Sequence, residues 1–426
     1  MKAARPWRWL KPLYAQVLIG MVLGVVLGAL APEMGAAMKP VADGFIKLIR
    51  MMLAPVIFGT VAIGIARMGS LKEVGRIGAR ALIYFEVAST LALLIGLLVV
   101  NVLKPGEGMN VDIAALDAGS IAAYTTVAQS ESVTSFLLDI IPGAFLGAFV
   151  EGHMLQVILL ALLVGAALTQ MGARAEPLLD GFDRVMEVLF RIVGMIMRLA
   201  PLGAATGIAF TVGAYGLDSL WSLGRLILAL YVTTAVFVVV VLGGVLWWVG
   251  LPPHRFLVHF RDEILVVFAT CSTEAVLPRM MQKLEALGCE KSVVGLVLPA
   301  GYTFNADGTA IYLTMGAIFV AQATNTTLSA MDQLLILGVL LLTSKGSAGV
   351  AGAGFVTLAA TLSVVGHVPV VGLVLLLGVD RFLNEARAVT NLIGNAVATV
   401  AVAKWDGLLD LSKARATLSR PAVSTD

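Results

Sequence analysis

The sequence predicts an all-α polytopic membrane protein, and three observations carry that expectation. Apolar runs long enough to span a bilayer, about 20 residues each, follow one another along nearly the whole 426-residue chain. Charged residues make up only 13% of it, about half of the roughly 25% usual in a soluble domain, and mean hydropathy is +0.95. Lysine and arginine gather in some connecting segments and are almost absent from others, the asymmetry that orients membrane helices. The overall balance, 29 basic against 27 acidic residues, gives no reason to expect nucleic acid as a partner.

The apolar spans lie at about 13–31, 44–66, 78–103, 133–171, 182–215 and 222–250, and a second group at about 257–287, 292–323, 331–365 and 370–404. The basic start, MKAARPWRWLK, is not followed by a small-residue cleavage site, so Val17–Leu30 belongs to a first retained span. The fourth region is too long for one straight helix, and Pro142 and Glu151-Gly152-His153 mark where it breaks. The 67–80 loop carries Arg67, Lys72, Arg76 and Arg80; the 251–262 loop carries Arg255 and Arg261, the 279–291 loop Arg279, Lys283 and Lys291, and Lys413, Arg415 and Arg420 lie in the tail. Residues 104–132 hold one lysine and four acids, and 214–221, 322–333 and 364–370 have no Lys or Arg. Basic loops stay cytoplasmic, so both termini are expected inside.

That orientation leaves two segments that must enter and leave on the same side. The 257–287 segment is basic at both ends, and the 331–365 segment at neither. Each reads as a re-entrant hairpin, with tips at Ala269–Glu274 and Ser344–Gly354. Such tips are tolerated at membrane depth only against protein or water. Each is followed by a span with a polar interruption, Asn305–Thr309 in the first and 380–395 in the second. Two such units of opposite orientation form an inverted repeat, which places substrate at its interface.

The second interruption carries the chemistry. Asp380, Asn384, Arg387, Asn391 and Asn395 are spaced 4, 3, 4 and 4 residues apart, within an arc of about 80° on a helix. An ionisable group facing lipid costs ~2.5–3.5 kcal/mol, so the stripe turns toward protein or water and reads as a substrate or ion site. Cys271 and Cys289 lack CxxC spacing, and four scattered histidines make no metal cluster. There is no HExxH, Walker A or nucleophile-elbow signature, so neither an enzyme nor a nucleotide-driven pump is expected. Two hairpins around one charged site suit alternating access better than an open channel.

The stretches MKPVADGFIKLIRMMLAPVIFGTV (38–61), NVLKPGEGMNVD (101–112), CEKSVVGLVLPAGYTFNADGTAIYLTM (289–315) and SKGSAGVAGAGF (344–355), in this order, resemble the dicarboxylate/amino acid:cation symporter family, and among it the bacterial C4-dicarboxylate members. The resemblance runs from Tyr14 to Trp405. It implies the glutamate-transporter fold: eight transmembrane spans, two re-entrant hairpins and a homotrimer in the bacterial inner membrane. Residues 1–256 would hold six spans, a trimerisation scaffold with parts of a moving transport domain. Residues 257–407 would hold that domain's core, and 408–426 a cytoplasmic tail. The function implied is import of succinate, fumarate or malate with protons or sodium, by an elevator motion and without a cofactor. An acidic amino-acid symporter is the alternative.

Arg387 suits a carboxylate through its planar fork of donors, and the resemblance assigns it the distal carboxylate of the substrate. Asp380, two turns earlier, would position Arg387, which leans back toward it. Asn391 would take the other carboxylate, aided by backbone groups at Ser272, Thr273, Val350 and Gly352 and by the Thr309 hydroxyl. Asn384 stands where amino-acid members hold the substrate ammonium with an acid, and its neutrality favours a dicarboxylate. Asn305 and Asp307, with carbonyls of Thr303, Ser344, Lys345 and Ser347, match the family's sodium sites, and hard oxygens suit such a cation. Asn395 replaces an Asp there, which removes a charge. Glu86, Glu274 and Glu385 are candidate proton carriers, since burial raises a carboxyl pKa.

Overall fold

The computed structural model describes residues 13–68, 71–111, 138, 140–151, 154–215, 223–343, 354, 357–359, 361–362, 368–377 and 379–419. These residues are helical throughout apart from turns and one isolated bridge, Cys289 to Leu409. The first half contains α1 (Leu13–Leu30), α2 (Pro32–Ala36), α3 (Lys39–Met68), α4 (Leu71–Leu103), α5 (Gly147–Glu151), α6 (Met154–Met171), α7 (Glu176–Met197) and α8 (Ala200–Tyr215). A long helix follows, α9 (Gly224–Val236) and α10 (Gly243–Val249), joined by a π-helical stretch at Phe237–Leu242. Among the described residues, four helical stretches are long and apolar enough to cross a membrane: Lys72–Leu103, Gln156–Ile196, Gly224–Val249 and Phe382–Asp406.

The first half packs through small residues. Gly20, Gly24 and Gly28 form a stripe along α1 that lies on α8. A methyl at Gly28 would sit 2.8 Å from the Ala209 carbonyl oxygen, and one at Gly24 would collide with that of Ala205. Between membrane helices this close backbone approach supplies the packing that the hydrophobic effect cannot. The outward faces of α1 and of α9–α10 expose Val22, Leu23, Val239 and Val240, an apolar surface suited to lipid.

The second half contains α11 (Pro253–His259), α12 (Arg261–Thr270), α13 (Leu277–Leu287), α14 (Lys291–Phe304), α15 (Asp307–Ala323), α16 (Ala330–Thr343), α17 (Val374–Leu377), α18 (Asp380–Asp406) and α19 (Leu411–Ser419). Helices α12 and α13 form the expected helix–turn–helix. Its tip turns at Cys271, whose φ of 53° is left-handed, and its base is held by charge. Glu263 is buried between Arg279 (2.8 Å) and Lys283 (2.7 Å), and Arg279 also reaches Asp262 at 3.2 Å. These pairs tie the first turn of α12 to the first and second turns of α13. The 344–353 tip of the second segment lies outside the described residues.

Pro142 falls in a non-helical stretch between 140 and 146, as expected, and α14 ends at Phe304 and α15 starts at Asp307, at the expected interruption. The second interruption differs from expectation. Helix α18 runs unbroken from Asp380 to Asp406. Its polar groups bond to side chains and neighbouring backbone, so the helix need not unwind to satisfy them. Within an apolar 18-residue stretch of Phe382–Asp406, 83% of the residues are buried, against 39% for the corresponding stretch of α4, which makes α18 the axis of the second half. Helices α4, α9, α12, α14 and α15 pack around it.

Candidate functional site

Arg387 lies on the α18 face that meets α15 and residue Gly354. Its Nε donates to Asn384 Oδ1 at 2.8 Å, and its guanidinium sits 5.5 Å from the centre of the Tyr312 ring. Gly354 abuts Nη1 so closely that a methyl there would collide with it. Asp380 does not take the guanidinium directly. Its Oδ1 accepts a 2.7 Å hydrogen bond from the Tyr312 hydroxyl, so it orients the ring on which Arg387 stacks. A stacked guanidinium gains about 0.5–2 kcal/mol and loses freedom of rotation. The remaining donors of the fork suit a carboxylate.

Asn391 is one turn further on. Its Oδ1 accepts from the Gly308 (2.7 Å) and Thr309 (3.3 Å) amides, and its Nδ2 donates to Thr309 Oγ1 at 3.0 Å. The residue before α15 is Ala306, which has no side-chain acceptor. Asn391 therefore caps the orphan amides of α15 from another helix. This leaves one Nδ2–H for a ligand, and it ties the polar stripe of α18 to the helix break.

At the break, Asn305, Asp307 and Asn395 are buried together at 0%, 0% and 2% exposure. Asn305 Nδ2 donates to Asp307 Oδ2 at 3.2 Å and to Asn395 Oδ1 at 3.1 Å. Asn305 Oδ1 is buried and accepts no hydrogen bond among the described residues. A methyl at Gly394 would collide with Asp307 Oδ2, so only glycine lets α18 approach this carboxylate. Thr303, buried in the last turn of α14, lies where helix carbonyls run out of amide partners. The result is a dense set of hard oxygens, the chemistry a small cation prefers.

Ser272 and Thr273 are buried at the tip between α12 and α13, and Ser272 Oγ makes no hydrogen bond among the described residues. Thr273 accepts from Tyr302 through its carbonyl at 3.2 Å. Of the candidate proton carriers, Glu385 is 4% exposed and its Oε2 accepts from Tyr231 at 3.2 Å. Glu274 is half-buried just past the tip. Glu86 differs from expectation: its side chain is on the exposed face of α4, because it shares the helical face of Leu82, Ile83 and Val87. Ser344, Lys345, Ser347, Val350 and Gly352 lie outside the described residues. Sequence reasoning missed Tyr84, Tyr231 and Tyr312. The Tyr84 hydroxyl is buried, without a hydrogen bond among the described residues, and within electrostatic reach of Asp307. A lone tyrosine in an apolar helix gives no signal of what it will face.

A guanidinium and an oxygen cluster buried in a helical bundle with membrane-length apolar helices suit the class of membrane transport proteins. Residues 13–405 match the model of the sodium:dicarboxylate symporter family, and the chain belongs to that family. It is 55% identical to the C4-dicarboxylate transport protein of Pseudomonas syringae pv. syringae (strain B728a) over 96% of this chain and 91% of that one. The protein of that name from Janthinobacterium sp. (strain Marseille) is 56% identical over 96% and 93%. That from Erwinia tasmaniensis is 57% identical over 96% of both chains.

Proposed function

We propose that this chain imports C4-dicarboxylates such as succinate, fumarate and malate by cation symport. The observation that carries the reading is the neutral Asn384 bonded to Arg387 Nε. An amino acid would bring an ammonium into a desolvated site with no anion at this position to meet it. A dicarboxylate needs only the guanidinium fork and amide donors. The names of the relatives point the same way. An acidic amino-acid symporter is the second reading, and Asn384 disfavours it.

A dicarboxylate carries two negative charges near neutral pH, so at least two cations must accompany it for electroneutral uptake. Protons are the proposed main coupling ion, carried on a buried carboxyl such as Glu385, because Asn395 is neutral at the cation cluster. Sodium at Asn305 and Asp307 is the alternative. Residues 257–407, with α4 and α9–α10 packed against them, would move as a transport domain against the remaining helices in an elevator motion. The assembly would be a homotrimer in a bacterial inner membrane, with both termini cytoplasmic.

The test is uptake of labelled succinate into proteoliposomes under a pH gradient alone and a sodium gradient alone. Accumulation with an inward proton gradient in sodium-free buffer supports proton coupling. Uptake that needs sodium and ignores the pH gradient moves coupling to Asp307. Absence of succinate uptake under both, with aspartate transported, favours the second reading.

A further inference from the structure

A cleft of about 580 Å³ lies away from the site above, between α10, α11 and α19. Trp247, Leu251, Pro253, Arg255, Arg415 and Ser419 line it, and among the described residues no acidic side chain does. Arg255 Nη1 donates to Ser419 Oγ at 3.2 Å, and Arg415 Nε donates to the Gly250 carbonyl at 3.0 Å. Neither arginine forms an ion pair with a described carboxylate. Each guanidinium has five N–H donors, so most of both forks remains for a ligand, beside a positive charge that no described carboxylate pairs with.

The position in the fold selects the ligand. The cleft sits where the apolar Gly224–Val249 helix ends and a basic segment begins. Trp247 is 81% exposed and Trp248 57%, and exposed tryptophans at such a boundary mark the headgroup level. Basic loops define the cytoplasmic side, whose leaflet carries anionic lipid. Arginine pairs suit phosphate oxygens in the same bidentate way as carboxylates. We propose that this cleft binds the phosphate of an anionic phospholipid headgroup, with Arg255 and Arg415 gripping the phosphate and Trp247 lying along the glycerol and upper acyl chain. Arg415 comes from α19, so the site is complete only when the C-terminal helix is docked, and the lipid would hold that helix to the membrane surface.

Native mass spectrometry of the full-length protein in detergent tests this, with phosphatidylglycerol and phosphatidylcholine of matched chains. Each arginine near an anionic surface strengthens binding about fivefold. Wild type should retain phosphatidylglycerol in preference to phosphatidylcholine. Arg255→Gln should weaken that retention about fivefold and Arg255→Gln/Arg415→Gln about thirtyfold. Because Arg415 also ties α19 to Gly250, the single Arg255→Gln variant, which leaves that tie in place, is the one that reads the loss of charge by itself. Equal retention of the two lipids, or a preference that survives in the double variant, overturns the proposal. Displacement of phosphatidylglycerol by millimolar inorganic phosphate, with equal binding of phosphate to lipid-free protein, makes this a soluble-phosphate site and also overturns it.

Discussion

Asn384→Asp separates the dicarboxylate reading from the amino-acid reading by charge alone. The two side chains are isosteric, and Asn384 Oδ1 already accepts from Arg387 Nε at 2.8 Å, so the new carboxylate keeps that bond and needs no rearrangement. A substrate carboxylate on the outer edge of the same guanidinium lies about 6 Å from the new charge. At an effective dielectric of about 20, the repulsion is about 332/(20 × 6), or roughly 2.8 kcal/mol, which weakens succinate binding about 100-fold. For aspartate the same charge attracts the ammonium and largely offsets the repulsion, so the ratio of the two affinities moves by a similar factor. The assay is competition of unlabelled succinate and aspartate against labelled succinate on purified protein, with thermal unfolding as the folding check. A succinate Kd within about threefold of wild type in a folded variant refutes the reasoning.

Asp307→Asn leaves the hydrogen bonds of Asn305 available while removing the charge at the oxygen cluster. If sodium binds there, the variant loses sodium-induced thermal stabilisation, about 2.7 kcal/mol at 100-fold saturation; an unchanged sodium response rules the cluster out. Glu385→Gln should abolish succinate accumulation driven by a pH gradient while succinate–succinate exchange persists, and retained pH-driven accumulation excludes Glu385 as the carrier. Burial, helped by the Glu285 carboxyl, pushes the Cys289 thiol up to about 12, and Lys413 offsets this only in part. Burial and the raised pKa both suppress its thiolate, so maleimide should label the half-exposed Cys271 and spare Cys289 until residues 408–419 are removed, as peptide mass mapping would read; rapid labelling of Cys289 in the intact chain contradicts this.

Local pattern carried the fold class, the helix break at Asn305–Ala306, the turn at Cys271 and the grouping of Arg387 with Asn384 and Asn391. Each is a matter of composition or spacing along a few turns, and a helix converts such spacing directly into a shared face. Loop charges likewise marked the arms of α12 and α13, though not that Glu263 is sealed between Arg279 and Lys283. Packing decided the rest. Only the tertiary fold makes Asn391 the cap of a helix that begins 84 residues earlier, joins Asn305 to Asn395 across 90 residues, and sets Tyr312 between Asp380 and Arg387. Only it docks α19, within the expected tail, onto α11 and α13, and turns Glu86 outward. Spacing along the chain specifies the face of a helix. The partner that meets that face depends on how distant helices cross, and their crossing is settled by the shapes of all the side chains between them.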